Sequence, residues 1–331
     1  MKSVKATPVT PGNSVAPSRL ERWWRNLPKR LKKHRLIYLM LVPFLLHLWF
    51  FSYRPMGYLS IAWMNFSPFL GMDSPWAGWD NFQALLFGRA SGMFIRAIRN
   101  TLILSVYDLI FLFPLPIFIA VLFHELKLSR FRTFSQSVLL LPNFFSTVVV
   151  VGIARAFLGP TTGIINQLLI RVGILDAPIH FILHAQYTRF IYMFILGWMG
   201  AGMSSLIYLG SMMSIDKELY ESASLDGAGR LKRIWHITLP GVLPLISVLF
   251  IMRLGGILSA NTEAVLLIME PLTQQSIDVI GTYVWRIGLM AEGIPQLSLA
   301  AAAGIMQNVV GMILVISANF ASKKLGGNNL F

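Results

Sequence analysis

Ser214-Ile-Asp-Lys-Glu-Leu-Tyr-Glu-Ser-Ala-Ser-Leu-Asp-Gly-Ala-Gly-Arg-Leu-Lys-Arg-Ile-Trp-His-Ile-Thr-Leu-Pro240 is the one long polar stretch lying between two strongly apolar ones. Four of the chain's 14 acidic residues fall in it: Asp216, Glu218, Glu221 and Asp226. Four bases, Lys217, Arg230, Lys232 and Arg233, fall in it too. It reads as two short helices. Asp216 caps the first, whose opening turn is acidic, as the helix dipole favours. Asp226-Gly227 stops it, because glycine accepts the left-handed conformation of a helix end. The second is predicted over residues 228–238, with Leu231, Ile234, Trp235 and Thr238 on one face. Arg230, Lys232, Arg233 and His236 lie elsewhere on it. Pro240 is then expected to open the next apolar segment, where a missing N–H costs least.

Composition says what those flanking segments are. Of 331 residues, 55% are hydrophobic and 13% charged, and the mean hydropathy is +0.64. A soluble domain carries about 25% charged residues. The chain is therefore an integral membrane protein with helical spans. Continuous apolar runs, not alternating ones, exclude a transmembrane barrel. The absence of cysteine removes disulfides, thiolate chemistry and Cys-type metal sites. The net charge of +14 is read as inside-positive topology and not as nucleic-acid binding.

Six spans are predicted, at 36–53, 98–124, 137–158, 188–209, 242–261 and 297–320. Pro114 and Pro116 are expected to kink the second. Gly197, Gly200 and Gly202 are expected to allow close helix contact in the fourth. The run 164–174 is too short to cross and reads as interfacial or re-entrant. The domain plan is a basic cytoplasmic segment 1–35, a first span with its outer segment 36–97, a transmembrane domain 98–320 containing the 214–240 loop, and a tail 321–331. The first ten to twenty residues have the composition of a disordered segment. Bases test the topology: ten lie before residue 36, three in 127–132, four in the quoted loop and two in the tail, 19 of 28 in all. With six spans these share one side, which places both termini in the cytoplasm.

The spacing inside the loop carries a resemblance. Glu221-Ser222-Ala223, three residues, Gly227, nine residues, then Ile237-Thr-Leu239-Pro240 resembles the "EAA" signature of binding-protein-dependent ABC importer permeases. The second position departs, with Ser222 for alanine, and Asp226-Gly227-Ala228 also fits family usage. Asn100-Thr-Leu, Leu140-Leu-Pro142 and Thr282-Tyr-Val-Trp-Arg-Ile-Gly-Leu289 are similar to the branch that carries polysaccharide-derived oligosaccharides of the aldouronate or alginate type. The resemblance covers residues 36–325.

It implies an all-α, six-span type I permease fold whose loop is a coupling helix seated on a cytoplasmic ATPase. It also implies partners: a second homologous permease, two ATPase subunits, an extracytoplasmic solute-binding protein and an oligosaccharide, in the bacterial inner membrane. ATP and Mg²⁺ would then bind the ATPase and not this chain. The sequence agrees, since it holds no G-x-x-x-x-G-K-[ST] motif. Gly227-Ala-Gly229 lacks the third glycine and the preceding strand of a dinucleotide site. His124, Glu125, His180 and His184 form no metal set by spacing.

Polar residues inside spans are expensive, so each is a functional candidate. Asp108, Asn143, Arg155, Trp198, Arg253, Asn261, Gln307 and Asn308 qualify for the substrate path. Each has an alternative role in joining helices, for instance Asp108 paired with an arginine. Arg253 is a candidate for holding a uronate carboxylate by bidentate contact. Two other function classes compete. A secondary transporter calls for paired acids buried in spans and inverted repeats, yet Asp108 is the single acid well inside a span. A membrane glycosyltransferase calls for acids or histidines clustered at one face, and the acidic cluster here is the loop.

Overall fold

The computed structural model describes residues 35–88, 90–126, 128–291 and 293–324. The basic amino-terminal segment and the end of the tail lie outside them. The described chain is helical apart from one isolated bridge, Met64 to Trp76. By contacts it divides into residues 1–59 and 60–331. Residues 60–97, grouped with the first span by the sequence plan, belong to the second unit: Ala62, Phe82, Leu85, Phe94 and Ala97 share a core with Ile280, Tyr283, Ala302 and Ala303.

Among the described residues five helices are long and apolar enough to cross a membrane: α1 (Arg35–Trp63), α3 (Ser91–Glu125), α7 (Ala185–Met213), α9 (Arg230–Gly255) and α13 (Leu297–Lys324, apolar over Leu297–Ser317). The predicted third span is not one straight helix. It is α4 (Ser129–Phe144) and α5 (Thr147–Leu158), bent by 106°. The cause is local. Pro142 offers no N–H, Phe145 is extended (φ −91°, ψ 149°), and the Ser146 hydroxyl caps the new helix by accepting Val149 N–H at 3.4 Å. Counting that bent pair gives the six predicted spans. Between the spans lie α2 (Asp80–Phe87), α6 (Ile164–Arg171), α8 (Lys217–Leu225), α10 (Thr262–Ile268), α11 (Gln274–Ile277) and α12 (Ile280–Gly288).

Prolines shape three of these helices in one way. Trp49–Tyr53, Asp108–Leu112 and Ile234–Thr238 are π-turns. Each is followed, one residue on, by Pro55, Pro114 or Pro240. The intervening residue donates its N–H five residues back: Arg54 to Trp49, Phe113 to Asp108 at 2.8 Å, Leu239 to Ile234. A π-turn widens the helix where the proline ring needs room, so the helix continues instead of breaking. This corrects the expectation at Pro240. It does not open a new helix, because Arg230–Gly255 is continuous through it.

α7 is the central helix. Of its apolar window 44% is buried, against 17–22% for α3, α9 and α13. Gly202 explains one contact: a Cβ there would lie 2.3 Å from Leu139 O, so glycine lets α7 and α4 meet backbone to side. Gly200 meets no neighbour, so only part of the glycine expectation for this helix holds. No residue of Arg35–Leu48 is buried, and Leu36, Leu39 and Met40 stand exposed as on a membrane-facing helix.

Polar contacts at the far end from the loop are placed by the alternating topology. Asn100 Nδ2, at the start of α3, donates to Gln275 O and Asp278 O at 3.1 and 3.0 Å. Arg189, at the start of α7, donates to Asn100 Oδ1 and Ser276 O. Buried Asp278 accepts from Thr282 Oγ1 and Arg286 Nη2, each at 2.7 Å. Phe66 N–H donates to Ser298 Oγ at 2.9 Å. Asn100, Thr282 and Arg286, quoted above for the branch resemblance, thus build one network that binds 262–296 to the starts of α3 and α7.

Candidate functional site: a coupling loop and an interhelical cavity

The loop has the geometry its spacing dictates. The Asp216 carboxylate accepts Glu218 N–H at 3.0 Å and caps α8. At the other end Gly227 has φ +76°. Its N–H donates to Ser224 O at 3.2 Å, and Ala228 N–H donates to Ala223 O at 2.8 Å. These two bonds are a Schellman motif, the 5→2 and 6→1 pair of a glycine-terminated helix. The interval from Ala223 to Gly227-Ala228 is therefore the interval that motif needs. Glu221, Ser222 and Asp226 are exposed, Ala223 and Ala228 half-buried. Leu219, Leu225, Leu231 and Trp235 stand exposed among the loop's charged residues, apolar groups of the kind partners cover. Ile237 and Leu239 are partly buried and Pro240 exposed, while Thr238 is fully buried.

A second site lies among α3, α7 and α9. Their walls enclose a cavity of about 750 Å³. Asp108, in the π-turn of α3, and Arg253, near the end of α9, meet across it. Arg253 Nε donates to Asp108 Oδ2 at 2.7 Å and Nη2 to Oδ1. Asp108 is 16% exposed and Arg253 50%. Asn261 joins the wall by donating its N–H to Tyr192 Oη at 3.0 Å, while its Oδ1 caps α10 through Ala264 N–H at 2.9 Å. Asn143, at the α4–α5 break, donates to Met199 O at 3.3 Å. Ser105 Oγ donates to Ile257 O at 2.6 Å.

Four of the eight span candidates therefore line the cavity: Asp108, Asn143, Arg253 and Asn261. The other four do not. Arg155 is held by Leu267 O and by Glu270, at 2.7 Å. Trp198 packs on the central core. Gln307 donates to Leu258 O at 2.6 Å, and Asn308 is exposed. Sequence reasoning passed over Tyr192, Ser204 and Tyr208. They lie with Leu196 and Gly200 on a stripe of α7 at four-residue spacing, Tyr192-Leu196-Gly200-Ser204-Tyr208, and all five line the cavity. That stripe runs about 24 Å along the helix and was the available signal. Among the described residues no cluster of three or more His, Asp or Glu could hold a metal.

The polar part of the lining is thus hydroxyls, amides and one matched acid–base pair, set among Leu, Met and Phe side chains on helices whose opposite ends reach the loop. The profile described as binding-protein-dependent transport system inner membrane component matches residues 84–326. The chain belongs to that family. As a family member it is an inner-membrane component of a transport system. It is 35% identical over 303 residues to the polygalacturonan/rhamnogalacturonan transport system permease protein YteP of Bacillus subtilis (strain 168), covering 91% of this chain and 92% of that one. To the arabinooligosaccharides transport system permease protein AraP of the same organism it is 31% identical over 330 residues, 99% and 98% of the two chains. A crystal structure of a bacterial ABC transporter involved in the import of the acidic polysaccharide alginate contains a chain with TM-score 0.82 and 38% identity, covering 92% of this chain and 99% of that one. A second structure of a bacterial alginate ABC transporter, in complex with an alginate pentasaccharide-bound periplasmic protein, matches as well, at TM-score 0.82.

Proposed function

We propose that this chain is the permease subunit of an ATP-driven importer that passes an acidic oligosaccharide from a solute-binding protein into the cytoplasm. The observation that carries the reading is the cavity. Its walls are helices α3, α7 and α9, and its polar lining of Tyr, Ser and Asn side chains suits the hydroxyls of a sugar chain. The acidic class draws support from the alginate and polygalacturonan relatives and from Arg253, whose planar guanidinium fits a carboxylate.

The chain works with a second permease and two ATPase subunits. ATP and Mg²⁺ bind the ATPases, and this chain contributes no hydrolytic residue. Loop 214–240 docks on an ATPase through Glu221, Ser222, Ala223, Asp226, Gly227 and Ala228, with Ile237, Leu239 and Pro240 joining it to the span. Segments 54–97, 159–187 and 262–296 face the binding protein, and both termini lie in the cytoplasm. A partner that binds two states of the loop unequally drives the transport cycle.

Two observations favour a second reading, a neutral oligosaccharide. Asp108 already neutralises Arg253, and the AraP match spans nearly the whole chain. Uptake by the full complex in proteoliposomes decides between them. ATP-dependent accumulation of labelled oligouronates over neutral oligosaccharides supports the acidic reading. With Arg253→Ala, a selective loss of oligouronate uptake is expected, and equal loss of both sugars excludes a carboxylate role for Arg253.

A further inference from the structure

The loop signature assigns no role to Tyr220, yet this residue holds the coupling helix to both helices that carry the Asp108–Arg253 pair. Its hydroxyl lies 3.0 Å from Thr238 Oγ1. Thr238 is fully buried within the π-turn of α9. Its hydroxyl therefore takes its partner from α8 and not from water. Four residues further along the same face of α8, Ser224 Oγ accepts from Arg233 Nη1 of α9 at 2.8 Å. Two struts thus join α8 to the first turns of α9. The Tyr220 ring also lies beside His124, the penultimate residue of α3, with centroids 5.6 Å apart.

From these contacts α3 and α9 run toward the cavity. Thr238 and Arg253 are separated by about 22 Å along α9, and His124 and Asp108 by about 24 Å along α3. At cavity level they meet through the Asp108–Arg253 pair and the Phe113 and Phe250 rings, whose centroids are 5.2 Å apart. The two helices are joined at both levels, and Tyr220 is the shared contact at the loop.

We propose that Tyr220 is the positioning residue through which displacement of the coupling helix reaches the cavity. It acts by keeping α8 and the π-turn of α9 one rigid body, so that a push on α8 turns α9 at Arg253. Without the hydroxyl bond only the exposed Arg233–Ser224 strut joins α8 to α9, so α8 rocks about Gly227 and most of the push is lost. The inference rests on the importer reading for what delivers the push, but not on which sugar is carried.

The test uses the assembled complex with Tyr220→Phe, which keeps the ring on His124 and removes the hydroxyl. Its counterparts are Thr238→Val, Thr238→Ser and the Tyr220→Phe/Thr238→Val double variant. The primary readout is sugar taken up per ATP hydrolysed. We expect at least a fivefold fall for Tyr220→Phe and for Thr238→Val, no further fall in the double variant, and a near-normal ratio for Thr238→Ser. An unchanged ratio in both single variants overturns the proposal. So does an additive fall in the double variant, or a loss in Thr238→Ser equal to that in Thr238→Val.

A second readout needs no sugar. The chain has no cysteine, so spin labels on Phe113→Cys and Leu249→Cys report the cavity width in a complex whose other subunits lack reactive cysteines. The nucleotide-driven change in label distance should shrink by at least half in Tyr220→Phe, and an undiminished change overturns the proposal. If no oligosaccharide is transported while the labels still respond through Tyr220, the substrate reading fails and this inference stands.

Discussion

In α8 and its caps, the bonds that set the shape join residues two to five apart: Asp216 to Glu218, Gly227 to Ser224, Ala228 to Ala223. In the cavity wall they join residues far apart in the chain: Asn143 to Met199, Asn261 to Tyr192, Asp108 to Arg253, Ser105 to Ile257. The first kind of site holds its form from local chemistry and can move as a unit. The second exists only while the helices around it hold their positions, so any tilt of one wall changes it. A transporter needs both, a stiff part that receives force and a soft part that responds. Substitutions should therefore act differently in the two regions.

Gly227→Pro attacks the stiff part most severely. Proline cannot adopt φ +76° and has no N–H for Ser224 O, so both features that end α8 are lost together. The expected outcome is at least a hundredfold loss of ATP-dependent uptake, with the protein still inserted and the spans intact. Membrane fractionation with proteoliposome uptake checks it. Uptake at the normal rate would remove the loop from the mechanism.

Arg253→Ala attacks the soft part. Breaking a buried pair costs about 3–5 kcal/mol, and half exposure of Arg253 places this case below that range. About tenfold slower uptake is expected. Asp108→Asn/Arg253→Gln should recover part of it, because neither side chain is then left charged and alone. A double variant no better than Arg253→Ala would show that the guanidinium acts on the substrate and not only on Asp108.

These two regions were unequally legible in the sequence. The caps of α8 could be read because Asp216 and Gly227 have conformational preferences that need no partner. The class of the fold was legible for the same kind of reason, since span length and charge asymmetry are properties of short windows. Half of the span candidates lie outside the cavity lining, because polarity within a span says that a partner exists, not where. Arg155 found Glu270 and Gln307 found Leu258 O, and neither of the two side chains lines the cavity. The bend at Ser146 was hidden because the run 137–158 is apolar on both sides of Pro142, and the continuous helix through Pro240 was hidden by a π-turn that no residue type announces.

Gly202→Val tests the packing that keeps the cavity in shape. Its Cβ would fall 2.3 Å from Leu139 O, and backbone cannot yield as a side chain can. Overpacking of this kind costs about 1–3 kcal/mol. The expected outcome is a lower melting temperature of the purified complex and about fivefold weaker uptake. Gly200→Ala, where no neighbour lies within reach of a Cβ, should leave the melting temperature unchanged. Equal effects at the two positions would mean that α4 does not support α7 as the structure has it.

The smallest effect separates form from charge within the loop itself. Asp216→Ala removes the cap of α8 at about 1 kcal/mol, whereas Asp216→Asn keeps a side-chain oxygen for Glu218 N–H and loses only the charge. If the loop works through its shape, alanine should weaken uptake about threefold and asparagine should leave it near normal. If both variants fall together, the Asp216 carboxylate is itself part of the contact with the partner. The same measurement in 0.5 M salt distinguishes the cases further, because screening weakens an exposed charge contact and leaves a backbone cap in place. A salt-sensitive wild type with a salt-insensitive asparagine variant would mean that the loop is read by its partner as a charge, with the helix geometry serving only to present it.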